Sequence, residues 1–141
     1  MNKHWICLTA LLITGCAPSQ VVPDGGGVAT RVTGTVSYRE RIELAPTAVI
    51  RVQLLDVSRA DAAATVLGEQ VIEAAGRQVP FTFEIHYDAT QIDERMSYAV
   101  QARIEDGGRL LFITDQRYPV ITRGAPAEVN LLLRSVGGSP R

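Results

Sequence analysis

A two-residue alternation of apolar and polar side chains is the feature that most constrains what this chain can fold into. In Val32-Thr33-Gly34-Thr35-Val36-Ser37-Tyr38-Arg39, the residues Val32, Val36 and Tyr38 fall on one face and Thr33, Thr35, Ser37 and Arg39 on the other. Successive side chains of an extended segment point to opposite faces, so this pattern predicts a half-buried β-strand. Phe81 to Tyr87 and Tyr98 to Glu105 repeat the pattern. Val49–Val57, Arg109–Asp115 and Ala127–Val136 are rich in branched apolar residues and bounded by Pro, Gly or charged turns, which makes them strands as well. Between two of these, Asp106-Gly107-Gly108 supplies the positive-φ residues that a tight hairpin requires.

The stretch from Ser58 to Gly76 is ambiguous. Ala63, Val66, Leu67, Gln70, Val71 and Ala74 fit a helical period, with Ser58 or Asp61 as a possible N-cap. Against a helix stand Gly68, which costs about 1 kcal/mol in a helix interior, and the β-branched residues Thr65, Val66, Val71 and Ile72. The balance favours a strand from about Thr65 to Ile72, with the helix left open. The expected fold class is therefore all-β, an antiparallel Greek-key β-sandwich of about seven strands of the immunoglobulin or transthyretin type. Tyr98 follows a turn and precedes the inward Val100 by two residues, the arrangement of a tyrosine corner; otherwise it is a core aromatic.

Near the N-terminus, Trp5 to Ile13 is apolar except for Thr9 and follows Lys3. The run is far short of the roughly 20 apolar residues that cross a bilayer, and it fits the charged and apolar regions of a secretory signal. Ile13-Thr14-Gly15-Cys16 resembles the bacterial lipobox, in which small residues precede a cysteine that receives a diacylglyceryl thioether and becomes the first residue after cleavage. Cys16 is then the acceptor of acyl chains such as palmitate, rather than a small residue of an ordinary signal or a free thiol. One acyl chain anchors only marginally, at about 0.8 kcal/mol per buried methylene, whereas two or three hold a protein on a membrane. Ala17 resembles an outer-membrane sorting residue. Cys7, the other cysteine, lies in the same apolar run, so no disulfide framework is available downstream.

After Cys16, APSQVVPDGGGVA carries prolines and consecutive glycines without a periodic apolar pattern. It reads as a flexible tether with a reach of at most roughly 45 Å. The expected organisation is a signal peptide over 1–15, the lipidated cysteine and tether over 16–30, a β-sandwich over 31–136 and a disordered tail over 137–141.

The net charge of −1 for the whole chain points to no nucleic-acid partner. Lys3 is the sole lysine, so every basic residue beyond the signal is an arginine, and these are spread from Arg31 to Arg141 without a run. No arginine is assigned a site. Downstream of the signal there is one histidine, His86, and no motif of a hydrolytic triad, zinc site or phosphate-binding loop. Glu84, His86 and Asp88 share an outward face at roughly 7 Å spacing along a strand, too far apart to hold one ion without rearrangement. Asp56, Asp61, Asp88 and Asp93, near strand ends, read as turn formers rather than calcium ligands. The expectation is a non-enzyme with no cofactor and no metal.

Several segments together resemble a known family. They are Gly34 to Ile42 (GTVSYRERI), Val52 to Ser58 (VQLLDVS) with Ala60-Asp61, and Gly107 to Phe112 (GGRLLF) with Thr114-Asp115, Tyr118-Pro119-Val120 and Thr122-Arg123-Gly124. These resemble the YbaY/YscW lipoproteins over about Val32 to Arg134. The resemblance implies a β-sandwich held by lipid at the outer membrane and facing the periplasm. One branch of the family contains pilotins, chaperones that bind a secretin of a type III secretion system; the other consists of stand-alone lipoproteins without an assigned activity, and the motifs here look closer to the latter. No catalytic residue comes with the resemblance.

Two functions remain open: a binding or chaperone module for an envelope protein such as a secretin, or a structural or inhibitory envelope lipoprotein unrelated to secretion. In the last strand, Leu132 lies on the opposite face from Leu131 and Leu133. If those two point into the core, Leu132 points out, where it either lines a partner contact or is covered by the protein's own loops.

Overall fold

The alternating segments become strands in the computed structural model, which describes residues 30–137. They are β1 (Arg31–Tyr38), β2 (Val49–Asp56), β3 (Thr65–Glu73), β4 (Phe81–His86), β5 (Tyr98–Asp106), β6 (Arg109–Thr114), β7 (Tyr118–Val120) and β8 (Glu128–Ser135). One turn of 3₁₀ helix, Ala89–Gln91, follows β4, and no α-helix occurs among the described residues. The signal (1–15), all but residue 30 of the tether segment and all but residue 137 of the expected tail lie outside the described residues.

The all-β expectation holds, and the ambiguous stretch is a strand. In β3, Val71 stands opposite Arg51 and Ile72 opposite Ile50 on β2. The pairing shifts register between Leu54 and Leu55, beside Gly68. Leu67 and Ile72 pack against the core. An apolar set that fits either period is thus settled by a long partner strand, which outweighs intrinsic propensity. The three-residue β7 was not expected: it is too short to show a period, and Pro119 at its centre argues against a strand in the sequence.

The topology departs from the expected antiparallel Greek-key sandwich in two respects. First, the strands form one connected sheet in the order β3-β2-β5-β6-β8-β1-β4, with β7 added on β5. β5 makes this possible by changing partner along its length: Tyr98–Val100 pair with β7 and Arg103–Asp106 with β6. Secondly, β1 and β8 run parallel, from Thr33 opposite Glu128 to Tyr38 opposite Leu133. Gly34 permits their close approach, because a Cβ there would lie 1.7 Å from the Val129 carbonyl oxygen.

The sheet rolls up until its two ends meet. A Cβ on Gly68 of β3 would lie 2.6 Å from Ile85 Cγ2 and 2.7 Å from the His86 carbonyl oxygen of β4. Beside that contact the Gln70 side-chain oxygen accepts the Glu84 backbone N–H at 2.7 Å. The result is a nearly closed barrel, its seam bridged by a side chain where no β3–β4 ladder forms among the described residues. Closure encloses the inward faces of every long strand, including Val36, Ile50, Phe83, Ile104 and Leu131. Each such side chain contributes about 1.5–3 kcal/mol relative to exposure. Tyr38 and Phe112 stack at 4.2 Å between ring centroids.

The barrel has two distinct ends. At the near end the described chain begins with Thr30, next to the β4–β5 and β7–β8 connections. There Tyr98 anchors a tyrosine corner: buried, its hydroxyl accepts the Asp93 N–H at 2.9 Å and lies 3.4 Å from the Gln91 carbonyl, to which it donates. At the far end lie the β1–β2 connection, the β5–β6 hairpin with Gly107 and Gly108 at positive φ, and the end of β8.

Candidate binding surface

The acidic residues expected to form turns do so. Asp56 accepts the Ser58 N–H at 2.9 Å, Asp88 the Thr90 N–H at 2.9 Å, and Asp93 the Arg95 N–H at 2.9 Å. Hydrogen bonds from the Thr90 side chain and backbone lower the Asp88 pKa. Those from Arg95, side chain first, take Asp93 down to about 2. Asp61 is exposed.

His86 differs from the sequence expectation in one detail. Its Nε2 lies 2.7 Å from Glu84 Oε1, because the two exposed side chains lean together across the intervening residue. Arg31 Nη1 stands 3.6 Å from the other Glu84 oxygen. Asp88 has left the strand and caps the 3₁₀ turn, so the three residues do not converge. Among the described residues no group of three His, Cys, Asp or Glu side chains is placed to hold a metal ion. Cys16 and the lipobox residues Ile13, Thr14 and Gly15 lie outside the described residues.

Leu131 and Leu133 are buried and Leu132 is half-buried on the opposite face, as the alternation requires. Its backbone is held on one side by Tyr118, whose hydroxyl accepts the Leu132 N–H at 2.9 Å and donates to the Leu132 carbonyl at 3.2 Å. Tyr118 thereby closes the gap between β7 and β8 that no strand ladder fills. Around the Leu132 side chain the surface is polar, with Arg39, Glu40, Asp115, Gln116 and Arg134. Asp115 and Arg134 pair at 2.6 Å.

A more apolar hollow, of about 580 Å³, opens at the far end. Its lining includes Ile42, Leu44, Leu110, Leu111, Phe112 and Val136, with Glu43, Asp106 and Arg109 among the polar members. Ile42 and Val136 remain 39% and 50% exposed, although both belong to a packed wall. Hydrogen bonds hold that wall in place. The Tyr38 hydroxyl donates to the Ile42 carbonyl at 2.6 Å, and the Gln78 amide brackets Leu44, accepting its N–H at 2.8 Å and donating to its carbonyl at 3.2 Å. Val136 N–H donates to Leu111 at 2.9 Å. Burial, then the charges of Glu40 and Glu43, raise the pKa of Tyr38, which keeps the phenol a neutral donor. A pre-formed apolar depression with a few polar groups at its margin suits capture of another chain's apolar side chains. Sequence reasoning missed it, because Ile42 and Leu44 lie in a connection without period and meet β6 and β8 only in the fold. The available signal was the Ile-Glu-Leu run of residues 42–44 between two predicted strands.

The profile of the type III secretion system lipoprotein chaperone family (YscW) matches residues 28–133, which includes every strand of the barrel up to the end of the β8 core. The chain belongs to the YscW family. The uncharacterized lipoprotein YbaY of Escherichia coli (strain K12) is 37% identical to it over 93 residues, covering 66% of this chain. This chain spans about half of that relative, 49% of its length. A solved structure of an alternative pilotin from the type II secretion system of Vibrio cholerae superposes with a TM-score of 0.74 and 48% sequence identity, covering 77% of this chain and 97% of the pilotin. The superposition therefore takes in nearly all of that solved chain.

Proposed function

We propose that this protein is a non-catalytic, pilotin-like lipoprotein chaperone. Acyl chains on Cys16, added after cleavage behind Ile13-Thr14-Gly15, hold it at the outer membrane with the barrel facing the periplasm. The far-end hollow binds a segment of an envelope or secretion protein, a secretin being the partner that the family suggests, and Leu132 is a second contact on the side wall. The observation that carries this reading is the 48% identity to an alternative type II secretion pilotin, with 97% of that solved chain covered. Two features of the fold support it. The near-end carboxylates Asp88 and Asp93 are taken up in turns, and the far-end hollow is largely apolar, pre-formed and lined by exposed Ile42 and Val136.

The likeness to YbaY favours a second reading, an envelope lipoprotein with no role in secretion. Crosslinking in intact cells, followed by identification of the captured protein, separates the two. Recovery of a secretin above a lipid-anchored control supports the pilotin reading. Recovery of no envelope protein above that control defeats it. Cys16→Ser is included, and should move the protein out of the membrane fraction as either precursor or soluble form.

A further inference from the structure

The near end of the barrel combines three features. The β4–β5 and β7–β8 connections are tied to each other: Thr122 Oγ1 donates to the Met96 carbonyl at 2.7 Å, and the Arg123 guanidinium donates to the Arg95 carbonyl at 2.8 Å. Each is also braced internally, by Met96 N–H to Asp93 at 2.9 Å and Ile121 N–H to Pro126 at 3.2 Å. On this braced platform Met96 is 40% exposed, and it is the exposed large apolar side chain among the described residues of the two connections. Ile92 and Ile121 pack against the core and line a hollow with Thr30, Glu94 and Arg123.

The platform is also strained. Ile121 sits at φ 72° and Arg123 at φ 58°. A β-branched residue at positive φ is an outlier that a chain retains only when the surroundings enforce it, and such positions cluster where a surface is used. Here the strained turn sets the Arg123 side chain against Arg95, whose own side chain is 86% exposed. The Arg95 guanidinium is paired with Asp93 at 2.8 Å while its side chain stays largely exposed, and Arg123 uses its Nη2 on the Arg95 carbonyl; with Glu94 beside them the two arginines form a rim of mixed charge.

Where the chain enters identifies what covers this end. Thr30 is fourteen positions beyond Cys16, a span that reaches at most about 50 Å even if fully extended. A link of that length holds a second contact at an effective concentration on the order of millimolar, so a weak surface contact is occupied. We propose that the near end is a lipid-docking face, with Met96 entering the interfacial layer of the bilayer while the Arg95 and Arg123 guanidiniums meet headgroup phosphates. An amphipathic tip with an apolar residue between arginines is suited to that boundary, since arginine bonds phosphate with a planar fork and an exposed methionine lowers its free energy by leaving water. Docking turns the far-end hollow away from the membrane, towards an incoming partner. The proposal rests on acylation of Cys16.

The test uses the full-length acylated protein in phosphatidylethanolamine–phosphatidylglycerol vesicles that carry nitroxide-labelled headgroups. A fluorophore is placed at the near end through Met96→Cys or at the far end through Val136→Cys, the Cys16 sulfur being blocked by its lipid. Quenching at position 96 at least threefold stronger than at position 136 is expected. Arg95→Glu combined with Arg123→Glu should reduce the quenching at 96 to the level at 136, with the circular dichroism spectrum unchanged. Equal quenching at both positions in protein that floats with the vesicles overturns docking and leaves the anchor standing. Protein that does not float overturns the anchor, and the docking proposal falls with it.

Discussion

Asp93 shows how much of this molecule is organised by single residues acting over short distances. Its carboxylate takes the Arg95 backbone N–H at 2.9 Å and the Arg95 side chain at 2.8 and 3.1 Å, while its own N–H is received by the Tyr98 hydroxyl. The six residues from Asp93 to Tyr98 thus close a corner between the 3₁₀ turn and β5. Because the hydrogen bonds favour the ionised form, the folded pKa lies near 2, below the ordinary 3.8. A lowered carboxylate pKa adds stability above the unfolded value, and that contribution is lost as pH falls from about 4 through 2. A ¹³C carboxyl titration by NMR should give a midpoint near 2 for Asp93, and Arg95→Ala should return it towards 3.8. Both Asp93 and Tyr98 were legible in the sequence, because turn and corner chemistry works over two to seven residues. His86 was legible only as a solvated strand residue; its contact with Glu84 depends on rotamers that period-2 counting does not specify.

At the scale of elements, a glycine permits a pairing that alternation does not reveal. Period-2 patterning says which face of each strand is buried, and it placed β1, β4 and β5 correctly because in each the inward face is more deeply buried than the other. It carries no information about neighbours, so neither the parallel β1–β8 pair nor the change of partner along β5 was visible. Gly34 was the clue: a residue with no side chain in the middle of a strand marks a close backbone approach. The Cβ of Ala at this position would overlap the Val129 carbonyl, which is backbone and cannot rotate away. Gly34→Ala should therefore force β1 and β8 apart and destabilise the domain by about 2–3 kcal/mol, within the range for overpacking a filled site. Urea denaturation of the two proteins measures it; a loss below about 0.5 kcal/mol would show that the parallel pair tolerates separation. Gly68 plays a related part at the seam. Read as a helix penalty in the sequence, it is the point at which β3 and β4 touch.

At the scale of the whole molecule, the barrel separates two surfaces by the length of its strands. Eight residues of β1 at about 3.3 Å each set the near and far ends roughly 25 Å apart. The far-end hollow was not legible in the sequence, because it draws on residues 42–45, 106, 109–112 and 135–137, which only sheet closure brings together. Leu132 was legible as an outward residue, but its surroundings were not: a polar strip and the Tyr118 clamp, rather than an apolar groove, flank it. These differences order the expected effects of charge insertion. Ile42→Glu with Val136→Glu places carboxylates in the apolar hollow at positions already 39% and 50% exposed, so the fold should survive with a thermal midpoint within a few degrees of the parent. Truncating or charging a buried contact residue at an interface costs on the order of 2 kcal/mol, so partner capture should fall at least tenfold. Leu132→Glu, on a polar strip, should weaken capture less than the double variant. Surfaces this far apart without shared partners act additively. The far-end double variant should therefore keep the lipid-dependent quenching at position 96, and the Arg95→Glu, Arg123→Glu variant should keep partner capture by detergent-solubilised protein. Loss of both properties in either variant, with the fold intact by circular dichroism, would show that the two ends form one continuous interface.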